Sequence, residues 1–262
     1  MSQRSASRQP QGIQSLETGG ALLHVLVAGG GPLMLKDLAA QAGMPPAKAH
    51  RYLASFIRLG LVEQDPSLGR YSLGPFALSL GLAALGRLDA VRLATPVLPA
   101  LAQDLGATVA AAVWGNKGAT IVRWEDSRDI VTVNVRAGGV MPLLRSATGR
   151  CFGAWLPEGR TGAIVAEELR LDPNPPRGVP ASLDATRRLW AKIRREGVVR
   201  VQGALIPGID ALSAPVFDHR NAMVLALTVL GYAGTVDCSP GGRVERTLKA
   251  AAADLSARLG KT

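Results

Sequence analysis

The 262-residue sequence has only two cysteines, Cys151 and Cys238, and three histidines. Two cysteines exclude a disulfide framework and a Cys-based zinc site. His24, His50 and His219 stand at no metal-ligand spacing from one another or from either cysteine, so neither a metal nor a cofactor is expected. Aromatic residues make up 4% of the chain, which leaves Ala, Leu and Val to build the core. The longest apolar stretch, residues 76–85, contains Gly81 and is followed by Arg87, so it falls short of the roughly 20 residues of a membrane span. Residues 1–11 are polar and lack the apolar segment that a secretory signal carries behind its positive charges. The sequence has no G-x-S-x-G, no Walker A lysine motif and no G-x-G-x-x-G. Gly29-Gly30-Gly31 follows a helical pattern and reads as a helix stop. The expectation from these absences is a cytoplasmic globular protein.

Apolar residues, at 47%, are plentiful, and charged residues amount to 19%, a balance too apolar for a disordered chain. The net charge is +10 and the isoelectric point about 10.4, values that invite a nucleic-acid reading. The basicity is spread out, however. Residues 1–80 carry 7 Lys/Arg against 4 Asp/Glu, and residues 81–262 carry 23 against 16. Charge alone therefore leaves a generically basic surface equally open, and the motifs have to decide.

Residues 1–11 form a Ser/Arg/Gln-rich tail expected to be disordered. From Ile13 the apolar residues Ile13, Leu16, Leu22, Leu23 and Leu26 recur at helical spacing, with His24 assigned to the packed face. Shorter helical units follow at 35–42 and 47–59, divided by Gly43-Met44-Pro45-Pro46. Two alternating runs, 61–65 and 70–73, flank Pro66-Ser67-Leu68-Gly69 and read as a β-hairpin. Three helices and a hairpin within about 60 residues make the layout of a winged helix-turn-helix. Helices are next expected at 76–88 and 91–105. Strands are expected at 108–114, 120–124 and 130–135, and helices at 149–155, 162–169 and 183–196. Strands at 198–201, 209–216 and 223–230 and a closing helix at 244–259 complete an α+β domain with a mostly antiparallel sheet.

The run from Leu35 to Leu53 is the most informative. Leu38, Met44, Ala49, Leu53 and Phe56 face inward, which puts Pro46, Ala47, Lys48, His50 and Arg51 on the outer face where the helix begins. No acidic residue lies between Asp37 and Glu63. A basic helix N-terminus suits a DNA major groove, where Arg and Lys read guanine edges or grip phosphates; a solvated helix face of an interaction domain is the plainer alternative.

These segments, together with Leu59-Gly60-Leu61-Val62-Glu63 and Arg70-Tyr71-Ser72-Leu73-Gly74-Pro75, resemble the N-terminal domain of IclR-family bacterial transcriptional regulators. Met141-Pro142-Leu143, Ala147-Thr148-Gly149-Arg150 and the stretch from Gly208 to Asp218 resemble the second domain of that family. The resemblance runs from about Gly12 to Leu259. It implies a disordered tail at 1–11, a winged helix-turn-helix over 12–75, a linker helix over 76–92, and a GAF-like effector-binding domain over 93–262. Pro46, Ala47, Lys48, His50 and Arg51 then fall on the DNA-recognition helix, and Gly69 and Arg70 at the wing tip. The implied partners are double-stranded operator DNA, a small organic-acid effector and further copies of the chain, with no membrane.

The resemblance places an effector pocket between residues 143–148 and the late strands, with candidates Leu143, Ser146, Ala147, Thr148, Asp210, Ala211, Ser213, Thr228 and Leu230, and Leu212 also in its wall. Of the small hydroxyl residues found on the family's late strands, Thr228 keeps one here. An acidic residue common before those strands is replaced within Gln202-Gly203-Ala204, which tilts the expected ligand toward a larger, more apolar acid. Leu78, Leu82 and Leu85 are expected to pair with a second copy. Two rival readings stay open: an enzyme using Cys151 or Ser213 as nucleophile, and a DNA-compacting protein without sequence preference. Cys151, among Phe152 and Trp155, reads more simply as a small buried hydrophobe.

Overall fold

The computed structural model describes residues 12–85, 89–126 and 136–261, and the chain divides into two compact units, one ending at Arg87 and the other starting at Leu88. The expected tail at 1–11 and strand at 130–135 lie outside the described residues.

In the first unit, α1 (Gln14–Ala28), α2 (Leu35–Gln41) and α3 (Pro46–Arg58) precede a hairpin of β1 (Val62–Gln64) and β2 (Tyr71–Leu73), and α4 (Pro75–Leu85) ends the unit. Leu22, Leu38, Ala49 and Leu53 are fully buried and pack with Val62 and Tyr71. Pro46 opens α3, where its fixed φ suits the first turn and its missing N–H costs nothing. Gly43 turns α2 into α3 at φ +65°, a conformation a Cβ would strain. His24 departs from expectation: it is exposed. Leu22 and Leu26 supply the buried line of α1, and a residue two positions from Leu22 sits ~200° around the helix.

The second unit is a six-stranded sheet in the order β5-β4-β3-β8-β7-β6, antiparallel at every pairing. Its strands are β3 (Thr108–Gly115), β4 (Gly118–Glu125), β5 (Val140–Met141), β6 (Val199–Gln202), β7 (Ile209–Phe217) and β8 (Met223–Tyr232). The two-residue β5 has no counterpart among the expected strands. The single helix expected at 91–105 is instead α5 (Ala90–Ala94) and α6 (Val97–Leu105). Pro96 interrupts it because proline has no N–H for the residue four back and its ring crowds that carbonyl. Of the linker expected over 76–92, α4 falls in the first unit and α5 in the second, and residues 86–88 lie outside the described residues.

Side chains alternate across the sheet. One face, with Leu212, Ala214, Leu225, Leu227 and Val229, packs on α5, α6 and α10 (Arg243–Arg258). The other, with Ala110, Ala112, Ile121, Val201 and Ala226, packs on α7 (Ala147–Trp155), α8 (Glu158–Leu171) and α9 (Leu183–Glu196). The candidate cavity lies on this second face.

Candidate DNA-contacting surface and effector cavity

Pro46, Ala47, Lys48, His50 and Arg51 are all exposed on α3, and Arg70 is exposed beside the hairpin turn. Ala47, Lys48, His50, Arg51, Tyr52, Ser55 and Arg58 border an open groove with Ser15 of α1. The first turn of α3 holds no acidic residue, so nothing there repels a phosphate. The turn at the wing tip is tied by Asp65, whose carboxylate accepts from Ser67 Oγ at 2.6 Å, Ser67 N at 2.7 Å and Leu68 N at 3.0 Å. Those donors, the Ser67 hydroxyl first, hold the Asp65 carboxyl below its ordinary range. Gly69 adopts φ +66° there, and Gln64 Nε2 donates to its carbonyl at 3.1 Å.

Within the second unit lies a partly open cavity with about 500 Å³ of atom-free space, some of it continuous with solvent. The sheet contributes Ala110, Ile121, Trp124, Met141 and Val201 to its wall, together with Ile209, Ala211, Thr228 and Leu230. Ser146, Ala147 and Thr148 enter from the start of α7, and Leu205 and Ile206 from the loop before β7. Among the described residues, no ionisable side chain lines it.

Polar groups in the wall have defined roles. Ser146 caps α7, accepting from Gly149 N at 2.8 Å and donating to the Pro142 carbonyl at 2.6 Å. Its hydroxyl hydrogen is thereby committed. Trp124 donates its indole N–H to Asp126 at 2.6 Å. Ser213 Oγ donates to the Leu227 carbonyl at 3.1 Å and accepts from Thr228 Oγ1 at 3.0 Å. With its hydrogen committed to Ser213, Thr228 can only accept from Thr148, whose Oγ1 is 2.8 Å away. Among the described residues, no acceptor meets the backbone N–H groups of Ala147 and Thr148. First-turn amides of a helix lack intrahelical partners, and they form a ready anion site.

Six of the nine expected pocket residues thus meet: Ser146, Ala147, Thr148, Ala211, Thr228 and Leu230. The other three, and Leu212, do not line the cavity. Asp210 and Leu212 alternate with Ala211 and so point to the opposite face, where Leu212 packs against α10 and Asp210 helps raise the Cys238 thiol. Leu143 is buried among the residues packed behind the wall. Ser213 lies one layer below, holding Thr228 in place. The expected acid-replacing run 202–204 stays out of the wall, whereas the preceding Val201 is in it. Ile209 was within reach of the alternation that placed Ala211, but nothing in the sequence marks Trp124, Leu205 or Ile206.

Cys151 is fully buried and its thiol is pushed up to about 12 by desolvation. An apolar interior keeps a thiol from ionising, which removes it as a nucleophile near neutral pH. Cys238 is raised to about 11, again mainly by burial. No cluster of three or more metal-ligating side chains occurs among the described residues.

Residues 15–66 match a model of the IclR helix-turn-helix domain, and residues 82–257 match one of the bacterial transcriptional regulator IclR C-terminal region. A glycerol operon regulatory protein of Streptomyces griseus is 31% identical over 258 residues, 95% of this chain and 97% of the relative. The crystal structure of Pseudomonas aeruginosa HmgR superposes with a TM-score of 0.87 at 39% identity, covering 95% of this chain and 99% of that one. An IclR homologue from Microbacterium hydrocarbonoxydans, whose structure is a complex with 4-hydroxybenzoate, shares the fold at TM-score 0.56 and 19% identity, covering 94% of this chain and 98% of its own.

Proposed function

The chain belongs to the IclR family of bacterial transcriptional regulators, and from that premise we propose that it binds operator DNA through α3 and responds to an aromatic monocarboxylic acid held in the cavity of its second unit. One observation carries the ligand class: among the described residues the wall is apolar and has no ionisable side chain, yet it includes Ala147 and Thr148, whose first-turn amides meet no acceptor among the described residues. Small-molecule sites are mostly apolar with a few placed polar groups. Amides with the helix dipole behind them favour one negative charge, and the apolar wall of Ile121, Trp124, Met141, Val201 and Leu230 favours a ring. A related protein of the same fold is seen with such an acid.

In this reading Pro46, Ala47, Lys48, His50 and Arg51 enter the major groove and Arg70 grips a phosphate. Two winged units act on one operator, brought together by pairing of the chain. Phe76, Leu78, Leu80 and Leu82 are exposed along α4, more apolar surface than a solvated helix keeps; the side chain of Leu85 lies outside the described residues. The site of action is the cytoplasm, where the operator is.

A thermal-shift series of aromatic and aliphatic acids tests the ligand class. A bound acid at a hundred times its Kd stabilises by about 2.7 kcal/mol. Stabilisation by aromatic monocarboxylates that disappears in Ala211→Leu, a variant that fills the cavity, is the expected result. Stabilisation that persists in that variant, or none with any acid, refutes it.

A further inference from the structure

The cavity wall is held from behind by two charged residues that do not line it. Glu168 on α8 accepts Leu143 N–H at 2.7 Å on one carboxylate oxygen and Leu144 N–H at 2.8 Å on the other. Arg150 on α7 donates from Nε to the Leu144 carbonyl at 2.7 Å and from its terminal nitrogen to the Gly178 carbonyl at 2.7 Å. Arg145, in the same segment, pairs with Asp172 just beyond α8. Both amides and one carbonyl of the two-residue stretch Leu143–Leu144 are therefore gripped from outside the cavity.

That stretch leads directly into Ser146, whose own N–H and hydroxyl both donate to Pro142. The position of residues 142–144 thus sets the entry into α7 and the direction in which the Ala147 and Thr148 amides point. Arg150 is buried, and no carboxylate among the described residues pairs with it. Its guanidinium is lowered to about 10 by desolvation and stays charged at neutral pH. Burying an unpaired cation is costly, and an ordinary loop does not require one. Here it leaves a positive charge one turn into the helix that borders a cavity with no charged side chain among the described residues.

We propose that Glu168 and Arg150 are positioning residues for ligand recognition, holding residues 142–146 so that the first-turn amides of α7 stand ready for a carboxylate. This rests on the reading of the cavity as an organic-acid site. Pre-orientation matters because donors already aimed need no ordering when the ligand arrives. Glu168→Gln keeps size and one acceptor but turns an NH₂ toward a backbone N–H. Arg150→Lys keeps the charge but cannot fork to two carbonyls.

The test uses the full chain with 4-hydroxybenzoate and its neutral counterpart 4-hydroxybenzamide as probes, alongside amide hydrogen exchange of the ligand-free protein. In both variants exchange across residues 143–149 should accelerate while β3, β7 and β8 stay protected. The preference for acid over amide should fall about tenfold or more, the loss expected for a charge-assisted hydrogen bond, with amide affinity held within about twofold. Unchanged exchange over 143–149 overturns the proposal. Acid and amide affinities falling in parallel also overturn it, because that marks general collapse of the cavity. A wild-type protein that binds neither probe refutes the acid reading of the cavity, and the exchange result then decides the brace by itself.

Discussion

Thr148 on α7 and Thr228 on β8, eighty positions apart in the chain, share a hydroxyl–hydroxyl hydrogen bond of 2.8 Å. It continues through Ser213 to the Leu227 carbonyl. This short chain is the polar floor of a cavity that is otherwise apolar, and its direction is set by the last acceptor. Thr148 is consequently the end that can turn its hydrogen toward a ligand without breaking the other two bonds.

The two threonines should respond differently to loss of the hydroxyl. Thr228→Val strands a donor on Thr148 and removes the donor to Ser213, so urea unfolding should show a loss of about 1–3 kcal/mol. Thr148→Val removes only a terminal donor and should cost about 1 kcal/mol or less, while weakening carboxylate binding. Equal losses, or the reverse order, would contradict the direction assigned to the chain.

Gly149 and Gly162 make a paired test of packing against helix propensity. A Cβ on Gly149 would stand 2.0 Å from the Pro142 carbonyl oxygen and 2.8 Å from Leu143 Cα, both backbone atoms that cannot step aside. Gly149→Ala should destabilise by about 3 kcal/mol or more, since overpacking outweighs the propensity gain. Gly162, inside α8, would meet only Glu158 Cγ at 3.7 Å, and Gly162→Ala should stabilise by about 0.5–1 kcal/mol. Thermal melts of both variants check the opposite signs.

The cysteines predict an alkaline dependence. Both thiols are raised in the folded state, Cys151 to about 12 and Cys238 to about 11, from an ordinary value of 9.0. Above that ordinary value the unfolded chain releases protons the folded one retains, so folding stability is intact below about pH 9 and falls as pH climbs toward 12. Iodoacetamide at pH 8 should leave both cysteines unmodified in the native protein and alkylate both in urea. Rapid native labelling of Cys151 would show that it is not sealed in the core.

On the DNA side, Arg51→Ala should reduce discrimination between operator and random sequence by about 1–3 kcal/mol, as expected for loss of a base-reading contact. Arg70→Ala should weaken both alike and make the salt dependence shallower, as a lost phosphate contact does. Binding isotherms on specific and random duplexes at several salt concentrations separate the two. If Arg51→Ala leaves both affinities unchanged, α3 is not the helix that enters the groove.

The organisation of the first unit was readable because punctuation and periodicity are local. Gly29-Gly30-Gly31, Gly43-Met44-Pro45-Pro46 and Pro66-Ser67-Leu68-Gly69 each end one element and begin another, and α1, α2, α3 and the hairpin fall between them. His24 shows the limit of the same reading. An apolar stripe three or four residues wide leaves the faces at its margins ambiguous, and only packing against α2 and α3 chose Leu22 and Leu26 over it.

By itself the sequence indicated the helices and hairpin of the first unit and the basic start of α3, because periodicity and turn residues are local; the threonines of the cavity floor were marked by the resemblance of their segments to the IclR family. Tertiary structure decided which residues share the cavity. Asp210 and Ala211 are neighbours in the chain, yet the pleat sends them to opposite faces of the sheet. Trp124, Leu205 and Ile206 come to the wall from segments with no motif, and Glu168 reaches Leu143 across 25 positions. Such contacts depend on strand pairing and helix docking over long sequence separations, where no local pattern records the partner.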